Sequence, residues 1–190
     1  MVRFWDSLSD EIDLEFIMAR ALQDIVWEHD HNIPRSVAFC TRGDCKCSYT
    51  YGRGITSHAQ PYPPWLHHIH NRMEKLVGAR FNSVNLNLYL SGQQSVTFHD
   101  DNETLFKTRD GNFTIGSFSV GQERIFKIKH RQSGQIRDVN LTSGSVVTME
   151  GLTQSKCVHA VEADDSTEAR INFTFRQIVS HQPHCPRCSH

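Results

Sequence analysis

Apolar and polar positions change their rhythm at Arg80. Before it, Ile12, Phe16, Ala19 and Ile25 recur at helical intervals, which predicts a helix over 10–29 with Ser9 or Asp10 as its cap. A second helix is expected over 64–77, where Pro63 and Pro64 suit its start and Gly78 its end. After Arg80, short alternating runs are separated by turn signals at Ser91-Gly92, Asp110-Gly111-Asn112, Ser133-Gly134 and Ser143-Gly144. Several short strands at this spacing indicate a β-sandwich or barrel. The segment 180–190, with Pro183 and Pro186, reads as an appendage, so three regions are expected: 1–79, 80–179 and 180–190.

Two of the strands carry chemistry on one face. In 170–176, Arg170, Asn172, Thr174 and Arg176 alternate with Ile171, Phe173 and Phe175. In 84–90, Asn85, Asn87 and Tyr89 alternate with Val84, Leu86, Leu88 and Leu90. These polar faces could simply meet water. If they line a barrel interior instead, two arginines lose their hydration, at a cost of several kcal/mol each when unpaired. A ligand with two carboxylates would offset that cost, because guanidinium binds carboxylate through two parallel hydrogen bonds. 2-Oxoglutarate is such a ligand, and its keto acid end can also chelate iron. His99-Asp100-Asp101 offers a matching metal element, since positions i and i+2 of a strand share a face. His99, Asp101 and a second histidine would give the two-histidine, one-carboxylate set that suits non-haem iron(II). Twelve histidines leave the choice of partner open on these grounds.

Composition adds limits. At 190 residues the chain suits one compact domain with its own core. A formal net charge of −1 does not announce a nucleic-acid binder. Arg124, Lys127, Lys129, His130, Arg131 and Arg137 form a local basic stretch, readable as a solvated hairpin face or as a grip on phosphates. No apolar run is long enough to span a membrane, and 1–11 lacks the pattern of a secretory signal. The six cysteines are therefore expected as reduced thiols or metal ligands in an intracellular protein, of the cytoplasm or nucleus.

Taken together, these motifs resemble the AlkB family over about 34–179. The resemblance is carried by Asn87-x-Tyr89, His99-x-Asp101-x-Glu103, the run Ile115 to Gly121 with Arg124 and Phe126, then Gly144, Met149, Gly151, Gln154 and His159, and finally Arg170-x-Asn172-x-Thr174-x-Arg176. It implies a mainly β fold with flanking helices: a double-stranded β-helix, or jelly roll, behind an N-terminal nucleotide-recognition lid. It selects His159 as the third iron ligand beside His99 and Asp101. Arg170 and Arg176 would hold the carboxylates of 2-oxoglutarate, with Asn87, Tyr89 and Asn172 adding hydrogen bonds. Tyr49-Thr50-Tyr51, Gly52, Gly54, Pro61 and Pro64-Trp65 follow the order of the family's lid. Tyr51, beside Tyr49, would stack on a flipped-out base with the His99 ring opposite, and Glu103 would face the base's exocyclic amine. The implied activity is oxidative removal of N-alkyl groups, of the 1-methyladenine and 3-methylcytosine type, from RNA or DNA by an enzyme working as a monomer. Compact AlkB-like domains of plant RNA viruses are resembled too.

Some features fall outside the resemblance. His184 to His190 contains Cys185-x-x-Cys188 with flanking histidines, a spacing that suits zinc; Cys45 and Cys47 could supply the remaining ligands. Cys157, two residues before His159, is expected as a buried core thiol. Two other functions stay open: a hydroxylase of protein side chains on the same barrel, and a nucleic-acid-binding module without turnover.

Overall fold

The computed structural model describes residues 1–8, 12–51 and 56–187. In chain order it contains β1 (Val2–Trp5), α1 (Leu14–Asp24), β2 (Ser36–Thr41), β3 (Tyr49–Thr50), β4 (Thr56–Ser57), β5 (Ala59–Pro61), α2 (Pro64–Val77) and β6 (Ser83–Tyr89). There follow β7 (Val96–His99), β8 (Phe113–Gly121), β9 (Arg124–His130), β10 (Ile136–Leu141), β11 (Val146–Gly151), α3 (Thr153–Lys156), β12 (Cys157–Val161) and β13 (Arg170–Arg176).

The strands form two facing sheets. The larger has the order β1-β11-β8-β13-β6-β2-β5, the smaller β10-β9-β12-β7, and β3 pairs with β4 as a separate ribbon. From β6 onward the chain passes back and forth between the sheets, with the β9–β10 hairpin as the one double step. Each sheet thus takes four of these eight strands, in the order β11-β8-β13-β6 and β10-β9-β12-β7. This is the double-stranded β-helix expected from the resemblance. Val2–Trp5, β2 and β5 extend the larger sheet, so segments before Arg80 belong to the same sheet as the barrel strands.

Alternation along the strands decides what each face of the larger sheet meets. Ile171, Phe173 and Phe175, with Val84, Leu86, Leu88, Phe118 and Val120, form one buried cluster with the helical side chains Ile17, Ala21, Trp65, Ile69 and Met73. Gly116 permits that approach, because a Cβ there would lie 2.9 Å from Met73 Cε. Between the two sheets, Ile115, Phe126, Ile128, Leu141, Val147, Met149 and Val161 close one end with an apolar plug. The polar positions of β6 and β13 line the rest of the interior. All seven residues of β13 are buried, so neither of its faces meets bulk water.

Helix α2 spans the residues expected, with Pro64 in its first turn and Gly78 ending it at φ +73°. Helix α1 is shorter than its sequence pattern suggests. Its N-cap is Asp13, whose side chain accepts from Phe16 N at 2.9 Å, and it stops at Asp24. Beyond it, the Gln60 amide takes both backbone groups of Val26, at 3.0 Å each, and Glu28 pairs with Val37, so 26–28 is drawn onto the sheet. The buried face also differs by one position: Ile17 and Ala21 are buried, whereas Phe16 is half exposed. Ser9, Asp10, Gly52, Gly54 and Cys188 lie outside the described residues.

Candidate metal and cofactor site

His99 ends β7 and is the register partner of His159 on β12, which places the two rings 4.3 Å apart, centre to centre. Asp101 follows in the loop. Its Oδ1 lies 3.7 Å from His99 Nε2 and its Oδ2 lies 3.6 Å from His159 Nε2. The ligand atoms of all three lie within 4.8 Å of one another.

The protonation of the set fits a divalent cation. His99 Nδ1 lies 2.8 Å from Thr97 O. A carbonyl only accepts, so Nδ1 carries a proton, which leaves Nε2, on the Asp101 side, as the ring nitrogen that could meet a metal. Burial pushes the His159 imidazole down to about 4, against the opposing pull of Asp101, so it is neutral and able to ligate. Burial works against charge on Asp101, but the adjacent Arg176 guanidinium outweighs it and holds the carboxyl well below the usual carboxylate range. Gln154 fixes the loop from behind: its Oε1 accepts from Asp101 N at 2.9 Å, and its Nε2 faces Met149 Sδ at 3.2 Å.

These three residues line a cleft of about 280 Å³ at the polar end of the jelly roll. Asn87, Tyr89, Asn172, Thr174 and Arg176 also line it, as do Tyr49, Tyr51 and Glu103. Arg176 donates to Asp101 Oδ2 and to Asn85 Oδ1, each at 2.8 Å, and lies over the rings of Tyr49 and Phe106. Its Nε has no protein partner. Arg170 sits one layer deeper, packed against the Tyr89 ring at 5.3 Å and outside the cleft lining. Its Nη2 donates to Ser119 Oγ at 3.0 Å, while Nε and Nη1 have no partner. Burial pulls this guanidinium down to about 10, against the favourable influence of Tyr89. Buried arginine donors left unpaired are costly, and a dicarboxylate has the acceptors to satisfy them.

The residues expected to meet a base gather at the same mouth. The Tyr51 ring meets Tyr49 edge-on at 4.5 Å. Tyr49 OH donates to Glu103 Oε1, and Oε2 is buried without a partner. Burial raises the Glu103 carboxyl above its ordinary value, with Arg176 opposing and Asp101 adding to the rise. Trp65, grouped with the lid by its sequence order, is instead a core residue: it packs on Phe173 and its Nε1 donates to Asp24 Oδ2 at 2.9 Å.

Sequence reasoning missed Arg35. It lines the cleft, donates from Nε to Asn87 Oδ1 at 2.6 Å, and lies over the Tyr51 ring. No period or motif marked it, because it stands in an irregular segment just before β2. Asn85 was visible on the polar face of its strand, but its partner was not. Half of the basic stretch is paired with acids: Arg124 with Asp164 at 2.9 Å, Lys127 with Asp138 and Glu162, and Arg131 with Asp100. Cys157 is half-buried at the edge of the apolar plug rather than enclosed, whereas Cys40, Cys45, Cys47 and Cys185 are buried.

A jelly roll holding two histidines and a carboxylate beside buried arginines defines a class of non-haem iron protein. The chain belongs to the 2OG-Fe(II) oxygenase superfamily, whose sequence profile matches residues 19–176. Iron(II) and 2-oxoglutarate are the cofactors of that superfamily, and the fit of the site agrees with both. Among curated relatives it is similar to alpha-ketoglutarate-dependent dioxygenase alkB homolog 3 of Homo sapiens, at 30% identity over 89% of this chain and 63% of that protein. It is also similar to DNA oxidative demethylase ALKBH2 of Bos taurus, at 28% identity over 89% of this chain and 62% of that protein. The chain therefore spans a little under two thirds of the length of these relatives. The solved structure of OsALKBH1 shares its fold, with a TM-score of 0.67 at 15% identity, over 93% of this chain and 97% of that one. No helix among the described residues is long and apolar enough to cross a membrane.

Proposed function

We propose that this protein is an iron(II)- and 2-oxoglutarate-dependent demethylase of alkylated nucleic-acid bases. The observation that carries the reading is the composition of one cleft, where His99, Asp101 and His159 share the walls with Tyr51 and Glu103. The names of the relatives, one a DNA oxidative demethylase, point the same way.

His99, Asp101 and His159 would hold iron(II). Arg176 would bind one carboxylate of 2-oxoglutarate, and Arg170 the other once Tyr89 gives way or shares the contact. Asn87, Tyr89 and Asn172 would complete the hydrogen bonds. When bound, the two cofactors supply the oxidation, in which dioxygen and 2-oxoglutarate are consumed, succinate and carbon dioxide leave, and the N-alkyl carbon is hydroxylated. A hydroxymethyl group on a ring nitrogen then leaves as formaldehyde. The protein's own part is placement. Tyr51 and the His99 ring would flank the extruded base, since an aromatic face holds any base by stacking. Glu103 Oε2, buried and unpartnered, would accept from the exocyclic amine of 1-methyladenine or 3-methylcytosine.

The test is formaldehyde and succinate release from matched methylated RNA and DNA oligonucleotides, with and without 2-oxoglutarate. Formaldehyde that depends on 2-oxoglutarate supports the reading, and the ratio between RNA and DNA identifies the substrate. Succinate without any oligonucleotide-dependent formaldehyde would move the search to protein side chains.

A further inference from the structure

A second cluster of metal-ligating groups lies apart from the iron site. Cys45, Cys47, His181 and Cys185 place their ligand atoms within 4.8 Å of one another, and the three cysteines are buried. His181 Nδ1 is 3.6 Å from Cys45 Sγ, 3.5 Å from Cys47 Sγ and 3.4 Å from Cys185 Sγ. Cys185 Sγ is 3.7 Å from Cys45 Sγ. A tetrahedral zinc site, with Zn–S of about 2.3 Å and Zn–N of about 2.1 Å, has S···N edges of about 3.6 Å and S···S edges of about 3.8 Å. The spacings match those edges. Contact between neutral thiols would not require three sulfurs to surround one nitrogen.

Backbone amides support the sulfurs as thiolates. Lys46 N donates to Cys185 Sγ at 3.3 Å, and Gln182 N donates to Cys47 Sγ at 3.4 Å. The cluster joins chain segments that are far apart in sequence, and other contacts brace the junction. Gln182 exchanges hydrogen bonds with the Ser48 backbone at 2.7 and 3.0 Å, and Arg187 pairs with Asp44. Ser48 directly precedes Tyr49, so this junction positions the strand that walls the cleft.

We propose that Cys45, Cys47, His181 and Cys185 bind one structural zinc ion that clamps the C-terminal segment against β3, which carries Tyr49 and leads into Tyr51. The sequence suggested Cys188 as a fourth ligand; His181 takes that place. With four protein ligands the site is closed, which suits a structural rather than a catalytic ion. Each cysteine gives its thiol proton to solvent as the ion binds, and His181 ligates as the neutral imidazole.

Zinc can also enter a two-histidine, one-carboxylate site, so zinc content alone does not decide. Cobalt(II) does, because the iron site contains no sulfur. The protein reconstituted with cobalt(II) should show thiolate-to-cobalt charge-transfer absorption in the near ultraviolet and the intense visible bands of a tetrahedral site. Added zinc should abolish both. Cys185→Ser and His181→Ala should weaken or shift these bands, and Cys157→Ser should leave them unchanged. Hydrogen exchange over 45–51 should quicken when zinc is removed. Absence of the charge-transfer band from the unmodified protein overturns the proposal whatever the variants do. So does an unaltered band in folded Cys185→Ser, or a Cys45–Cys185 disulfide in protein purified without oxygen.

Discussion

Arg176 and Asp101 form a buried ion pair, with Nη2 2.8 Å from Oδ2. One is the cleft-lining arginine proposed for the cofactor; the other belongs to the candidate iron set. The pair holds Asp101 ionised where burial would otherwise protonate it, so the two proposed functions meet in one contact.

Arg176→Ala should therefore weaken two equilibria at once. A charged hydrogen bond is worth about 1.5–3 kcal/mol, so 2-oxoglutarate affinity should fall by about 10- to 150-fold. Asp101 would also lose its main counter-charge and should hold a divalent ion less tightly. Anaerobic calorimetric titration with manganese(II), then with 2-oxoglutarate, measures both. Unchanged affinity for both ligands would mean that Arg176 serves only the packing of Tyr49 and Phe106.

Much of this contact was foreshadowed by alternation. The polar positions of β6 and β13 share a face in sequence, and the structure turns that face inward. His99-x-Asp101 was legible as a close pair, although β7 ends at His99 and Asp101 lies in the loop after it rather than on the same strand face. The identity of the second histidine was not, because the pairing of β7 with β12 is a tertiary fact that no local spacing records. Arg35 and His181 illustrate the same limit. Arg35 reaches Asn87 and the Tyr51 ring from an irregular segment, and His181 gains its meaning only when Cys45 and Cys47 arrive from the other end of the chain. The end of α1 was misjudged because its competitor, the Gln60 side chain, lies beyond any helical window.

Arg170 gives a prediction whose sign depends on the ligand. Its guanidinium is buried with two nitrogens unpaired. Arg170→Met removes those donors while keeping much of the volume, so the unliganded protein should be as stable as the parent, or more stable by about 1–3 kcal/mol. In 2-oxoglutarate the order should reverse, since binding to the folded state adds stability only where the site is intact. Thermal unfolding with and without 2-oxoglutarate reads both effects. Equal ligand-induced stabilisation in parent and variant would remove Arg170 from the cofactor site.

The iron set should be separable from the fold. His99→Ala and His159→Ala each remove a metal ligand and should abolish turnover while circular dichroism stays native. Gln154→Ala should behave differently. It leaves the buried Asp101 amide without its acceptor, which costs about 1–3 kcal/mol of stability, and it lets the Asp101 loop drift. Melting temperature and iron affinity should both fall, with partial activity kept at saturating iron. Wild-type stability in Gln154→Ala would show that water replaces the amide freely.

The substrate pocket is tested by separating stacking from charge. Tyr51→Ala removes an aromatic face worth about 1–3 kcal/mol of base stacking, so oligonucleotide demethylation should drop by roughly 5- to 150-fold at low substrate. Iron and 2-oxoglutarate binding should stay near the parent values, because Tyr51 is proposed to meet the base and belongs to neither the proposed iron set nor the proposed cofactor set. Glu103 is proposed to act through charge and a lone pair. Its Oε1 is occupied by the Tyr49 hydroxyl, which leaves Oε2 as the free acceptor. Glu103→Gln keeps the shape but loses the negative charge, so cationic adducts such as 1-methyladenine should suffer more than neutral ones. Tyr49→Phe should have a smaller effect in the same direction, since it frees Oε1 without removing the charge. The measurement is kcat/KM for a cationic and a neutral adduct in each variant, with 2-oxoglutarate affinity as control. If Tyr51→Ala and Glu103→Gln both match the parent on every oligonucleotide, the base does not sit between Tyr51 and His99. The iron site would stand in that case, and a protein side chain would become the substrate to test.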